Sequence, residues 1–111
     1  MDLKLRGKTA LVTGGSVGLG RAICRVLAAE GAAVAVNYRS HAAEAEALSA
    51  ELTASQGVRA VALGADVAEE GEVAAMFQAA AERLGPLDIL VNNAAVCPTG
   101  PAKDFTAAQW N

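Results

Sequence analysis

The chain has 111 residues, the length of one domain, and is 53% hydrophobic and 19% charged, which suits a buried core and excludes intrinsic disorder. Its net charge is −3 and its basic residues are scattered, so neither nucleic acid nor an anionic membrane is expected as a partner. Two cysteines and a single histidine, His41, leave no metal-ligand spacing and no disulfide framework, and they predict a reduced, cytoplasmic protein.

The charged start, Met1 to Lys8, does not read as a signal peptide, and no apolar run approaches the ~18 residues needed to span a membrane. Alanine fills 27 positions and aromatics only 4%, so the core is expected from small aliphatic side chains. Lys8 to Thr13 (KTALVT) reads as a strand that ends at a glycine cluster, Gly14-Gly15-Ser16-Val17-Gly18-Leu19-Gly20. Ile23, Val26 and Leu27 then recur at helical spacing until Gly31, a helix stop. Ala33 to Asn37 (AVAVN) is a second strand. Ser40 is placed to cap a helix over Ala42 to Gln56, with Ala45, Leu48 and Leu52 on one face and Gly57 at its end. Val58 to Leu63 is a third strand. Val73, Met76, Phe77, Ala80 and Leu84 mark an amphipathic helix closed by Gly85-Pro86, and Leu87 to Val91 is a fourth strand. Thr106-Ala-Ala-Gln109 is a capping box that opens a helix the chain barely enters.

Strand and helix alternate throughout, which predicts βαβ units with right-handed crossovers in an α/β, doubly wound parallel sheet. The strands are nearly continuous apolar runs, as expected where helices cover both faces. The glycine cluster is not a Walker loop, because Arg21 and Ala22 follow Gly20 where Lys and Ser or Thr are required. Nor does it follow the usual dinucleotide fingerprint, since its glycines fall at 14, 18 and 20. The physics is nonetheless shared: glycine lets the chain turn and an anion approach the backbone, and the helix from Leu19 offers unpaired N–H groups and a positive dipole end. A plain glycine-rich turn is the alternative.

Thr13-Gly14-Gly15-Ser16-Val17-Gly18-Leu19-Gly20, with Asp66-Val67 and Asn92-Asn93-Ala94-Ala95, resembles the short-chain dehydrogenase/reductase family, above all its 3-oxoacyl-acyl-carrier-protein reductase-like and glucose-dehydrogenase-like members. Ala95 departs from the family's usual glycine. The resemblance implies a Rossmann-like domain with strand order 3-2-1-4, of which residues 1–111 are the incomplete NAD(P)-binding part. It implies that Gly14, Ser16, Val17, Gly18, Leu19 and Gly20 surround the pyrophosphate. Asp66, with Val67 as its neighbour, would accept the adenine amino group, and Asn93, Ala94 and Ala95 would line the adenosine ribose. Asp66 has a second reading as the cap of the helix that starts near Glu69, and Asn92 and Asn93 have one as ties between strands.

Cofactor choice is read at Tyr38, Arg39 and Ser40, where the second strand ends. NAD-specific sites place an acid here for the ribose 2′-hydroxyl, yet the first acid after this strand is Glu44. Arg39 offers a guanidinium suited to a 2′-phosphate, with an ordinary surface arginine as the alternative. By family position Tyr38 stands where the NAD-selecting aspartate would be. NADP(H) is therefore expected as the preferred cofactor, with NAD(H) use left open. Cys24 is read as packing, Cys97 as a variable loop residue near the crevice, and His41 as a surface residue of the helix that follows it.

The family's catalytic serine and Tyr-xxx-Lys pair have no counterpart. The single tyrosine is Tyr38, with alanine at position 42, and the lysines are Lys4, Lys8 and Lys103. The expectation is the cofactor-binding half of an oxidoreductase that interconverts a carbonyl and a secondary alcohol, inactive as these 111 residues alone. The longer enzyme would act on a small-molecule substrate and form a homo-oligomer. A non-catalytic NADP(H)-binding or sensing module is the alternative.

Overall fold

The computed structural model describes residues 5–93. In chain order the elements are β1 (Thr9–Thr13), α1 (Gly18–Ala29), β2 (Ala33–Tyr38), α2 (Ala42–Gln56), β3 (Ala60–Gly64), α3 (Glu70–Leu84) and β4 (Ile89–Asn92). The strands form one parallel sheet in the order β3-β2-β1-β4, the doubly wound arrangement expected.

Alternation along the two central strands assigns side chains to two layers. Ala10 and Val12 of β1 and Val34 and Val36 of β2 join Cys24, Leu27, Leu48 and Leu52, so α1 and α2 cover that face. Leu11 and Ala35 point the other way, into Met76, Ala80 and Leu84 of α3. Every residue of β1 is buried, which is why its sequence shows no polar alternation. Full burial of a side chain such as Leu11 or Leu52 contributes about 1.5–3 kcal/mol.

Several boundaries differ from the sequence reading, each for a local reason. The helix α1 begins at Gly18 rather than Leu19, and its buried face is Gly20, Cys24, Leu27 and Ala28, while Val26 is exposed. Small residues at 20, 24 and 28 let this helix lie close to the sheet, a stripe that a search for large apolar side chains passes over. His41, not Ser40, occupies the cap position of α2, and it makes no side-chain cap. It is a surface residue, with Nδ1 3.7 Å from Glu44 Oε2. The strand β3 starts after Arg59, whose guanidinium donates to the last carbonyls of α3, those of Arg83 (3.3 Å) and Leu84 (2.9 Å). The strand β4 starts after Asp88, whose carboxylate accepts the Thr9 N–H at 2.9 Å. The expectations for Ala94, Ala95, Cys97 and the Thr106–Gln109 capping box lie outside the described residues. Among the described residues no helix is long and apolar enough to cross a membrane.

Candidate functional site

Three loops converge at the carboxyl ends of β1, β2 and β3. The first carries the glycine cluster. Gly14 (φ 62°) and Gly18 (φ 58°) both adopt the left-handed conformation that a side chain disfavours, so the chain reverses twice between β1 and α1. Gly20 is required for a different reason. A Cβ there would run into the Gly14 carbonyl oxygen and lie 2.6 Å from Asn93 Nδ2, so the first turn of α1 rests directly on the loop.

Val17 is the N-cap of α1, and as an aliphatic residue it supplies no side-chain cap. The first turn also contains no acidic residue, whereas α2 carries Glu44 and α3 carries Glu70 and Glu72 at the same place. The positive end of this helix dipole is thus left without an anionic partner from its own first turn. Among the described residues, a Cβ built on Gly18 meets nothing within 4 Å, so the loop has open space at this point. Arg21 curls back from the second turn, its Nε donating to the Ser16 carbonyl at 3.3 Å. Ser16 is buried, while Val17 and Leu19 are exposed beside the opening.

Beneath the loop, the Cys24 thiol donates to the Gly15 carbonyl at 3.8 Å. Burial pushes this thiol up to about 12, so it stays protonated and acts as packing, as read from the sequence. On the β4 side, Asn93 donates through Nδ2 to the Gly14 carbonyl (3.2 Å) and through its backbone N–H to Thr13 Oγ1 (2.9 Å). Thr13 Oγ1 also lies 3.2 Å from Asn92 Oδ1. Both asparagines therefore tie β4 to the end of β1.

The second and third loops meet each other. Tyr38 is half-buried, and its ring lies over Gly64, where a Cβ would come within 2.9 Å of Cζ. Arg39 and Ser40 are exposed. Asp66 Oδ1 accepts the Ala68 N–H at 2.9 Å, the Asp66 carbonyl accepts the Glu69 N–H at 2.9 Å, and its own N–H donates to Glu72 at 2.8 Å. These bonds make a turn ahead of α3, but the cap position of that helix is Glu69 and no side chain caps it, so Asp66 orders the approach to α3 without capping it. The second carboxylate oxygen, Oδ2, stands 3.6 Å from Arg39 Nε, with the guanidinium side chain 78% exposed. Val67 packs toward the α3 side of the core. The candidates from all three loops therefore share one rim of the sheet, the place where open α/β sheets bind ligands.

One residue at the centre of this rim escapes a motif search. Asn37 is 2% exposed; its Oδ1 accepts the Gly14 N–H at 3.1 Å and its backbone carbonyl accepts the Gly15 N–H at 3.0 Å. The only signal in the sequence is an asparagine inside an otherwise apolar strand.

A parallel sheet ordered 3-2-1-4, with a glycine loop and an uncapped helix at the end of its first strand, defines a Rossmann-like nucleotide-binding class. The sequence model described as short chain dehydrogenase matches residues 8–111, and the chain belongs to that family. It is 48% identical over 104 residues to the 3-oxoacyl-[acyl-carrier-protein] reductase FabG of Staphylococcus aureus, covering 94% of this chain and 42% of that one. It is 42% identical over 106 residues to the short-chain dehydrogenase/reductase homolog YusS of Bacillus subtilis, covering 96% of each. Among solved structures, a short-chain dehydrogenase from Burkholderia cenocepacia in complex with NADP superposes with a TM-score of 0.80 at 47% identity, covering 95% of this chain and 42% of that one. The chain spans about two-fifths of the length of the full-size curated relatives it matches.

Proposed function

We propose that this chain is the cofactor-binding part of an oxidoreductase that prefers NADP(H) and interconverts a carbonyl and a secondary alcohol on a small molecule. The observation that carries the reading is the amino-terminal turn of α1, which has no side-chain cap and no acid and, among the described residues, has open space at Gly18. Such a turn suits a pyrophosphate, held by backbone N–H groups from Gly18 to Gly20 and framed by Gly14, Ser16, Val17 and Leu19. Asp66 would accept the adenine amino group beside Val67, and Asn93, Ala94 and Ala95 would line the adenosine ribose.

Tyr38, Arg39 and Ser40 would then surround the 2′ position. Arg39 supports a phosphate there because its charge is exposed and its ion pair with Asp66 among the described residues is a loose one, at 3.6 Å. The bound nicotinamide would supply or take a hydride. The proton that must accompany it needs a side chain such as a tyrosine with a neighbouring lysine, and Tyr38 has no lysine four residues on. The 111 residues alone are therefore proposed to bind cofactor without turning over a ketone, and the longer enzyme to be cytoplasmic and homo-oligomeric.

A second reading, an NADP(H)-binding or sensing module without catalysis, is favoured by the end-to-end match to YusS, which has almost the same span. Calorimetric titration with NADP+ and NAD+, followed by a ketone-reduction assay with NADPH, separates the possibilities. The proposal expects NADP+ to bind more tightly than NAD+; absence of binding by either overturns it.

A further inference from the structure

We infer that Asn37 is the positioning residue that holds the three parts of the cofactor site in one spacing, an inference that rests on the cofactor-binding reading above. Its side chain is a clamp between two loops. Oδ1 accepts from Gly14 in the glycine loop, while Nδ2 lies 3.3 Å from the Leu63 carbonyl, 3.2 Å from the Ala65 carbonyl and 3.3 Å from the Tyr38 carbonyl. Its backbone carbonyl adds the Gly15 N–H. One buried amide thus links the pyrophosphate loop to the carbonyl of Ala65, next to Asp66, and to the strand end that presents Tyr38 and Arg39.

The chemistry demanded at this position is narrow. One acceptor must face an N–H and donors must face carbonyls, and at 2% exposure the Asn37 side chain is almost out of solvent's reach. An aliphatic side chain leaves the Gly14 N–H and the Leu63 and Ala65 carbonyls without this partner, while the Tyr38 carbonyl keeps the Ala65 N–H at 3.0 Å. An ionised aspartate meets the Gly14 N–H but turns its other oxygen on three carbonyls. A protonated aspartic acid restores the pattern, since its hydroxyl donates where Nδ2 did.

That difference makes Asn37→Asp a reversible test. Buried against carbonyls, the new carboxyl has its pKa raised, because both desolvation and the facing oxygens disfavour the charge. The clamp is therefore intact in acid and lost as the pH rises through that raised value. The titratable or charged side chains on or bonded to the joined segments include Arg21, Cys24, Tyr38, Arg39, Asp66 and Glu72, and wild type carries all of them, so only the ratio of variant to wild type at each pH is read.

At pH 8, Asn37→Asp is expected to weaken NADP+ and NAD+ alike, by about tenfold to a hundredfold, the range for a buried group left unsatisfied. The ratio should return to within about threefold of unity at pH 5.5. Leu52→Ala serves as the control for mere destabilisation: it empties a buried site on α2 and should lower the melting temperature without changing either affinity. Wild-type affinity in Asn37→Asp at pH 8, or a loss that acid does not reverse, overturns the inference. Wild type binding neither dinucleotide overturns the functional reading instead. The clamp is then judged by exchange of the Gly14 amide, which should be at least about tenfold faster than wild type at pH 8 if a bond of this strength is lost. An unchanged rate refutes the clamp.

Discussion

Replacing Gly20 by alanine should destabilise the protein, which inverts the usual result for a helical glycine. In an ordinary helix interior that change stabilises by roughly 0.5–1 kcal/mol, because glycine loses more backbone freedom on folding. At Gly20 the added methyl meets the Gly14 carbonyl and comes within 2.6 Å of Asn93 Nδ2 and 2.8 Å of Gly15 Cα. None of these is the loose end of a long side chain, so the first turn of α1 must move off the loop. Overpacking of this kind costs about 1–3 kcal/mol, which outweighs the propensity gain. Gly71, exposed in the first turn of α3 with nothing within 4 Å of its Cβ position, is the matched control. Thermal unfolding of the two variants should move in opposite directions, down for Gly20→Ala and slightly up for Gly71→Ala. Titration with NADP+ should show weakened binding only for Gly20→Ala. A Gly20→Ala protein as stable as wild type, with unchanged affinity, would refute the argument that the loop and the helix touch there.

The remaining predictions concern single side chains. Arg39→Ala should weaken NADP+ by about tenfold, the lower end of the range for a charge-assisted bond because the guanidinium is largely exposed; NAD+ should be unaffected, and equal loss for both sinks the 2′-phosphate assignment. The loss should shrink as salt is raised, since exposed charges are screened over about 8 Å at physiological ionic strength. Cys24 in the folded chain should resist alkylation at pH 8 and react once the chain is unfolded, as peptide mapping would show. Its thiol is pushed up to about 12, while an unfolded thiol ionises near ~8.5. The stabilising contribution is therefore complete below pH ~8.5 and falls by up to about 1.4 kcal/mol per pH unit above it, toward pH 12. Denaturant titrations between pH 7 and 10 check this, and Cys24→Ala should flatten the slope.

The order of elements is readable because the strands of a largely covered sheet are short apolar runs. AVAVN and LDILV are of this kind. What the sequence hid depends on contacts between distant segments. Val26 sits at helical spacing with Leu27 and Ile23 but points outward, because the small residues Gly20, Cys24 and Ala28 form the face that lies on the sheet. Asp88 and Arg59 look like ordinary charged surface residues. Their roles, holding the Thr9 N–H and the end of α3, appear only once β1, β3 and α3 are neighbours.

The candidate site divides in the same way. The glycine loop is legible because a strand-to-helix turn needs those residues in sequence, and Arg39 stands out against the missing acid. Asp66 carries two readings in the sequence, and its hydrogen bonds to Ala68 and Glu69 make a turn ahead of α3, without capping it, while leaving the other oxygen toward Arg39. In the sequence Asn37 reads only as the polar end of a strand. Its meaning lies in the carbonyls of residues 63 and 65, more than twenty positions away, which no local pattern displays.

The central claim is that the loop from Gly14 to Gly20 and the first turn of α1 hold the pyrophosphate of a nicotinamide dinucleotide. The most direct measurement is an NMR titration of the isotope-labelled protein with NADP+, following each backbone amide. The account predicts the largest shifts at Gly14 to Gly20, with smaller ones at Arg39 and Asp66, all saturating with one affinity. Shifts that cluster away from this rim, or that leave the amides of Gly18, Leu19 and Gly20 unmoved while NADP+ binds, would contradict it.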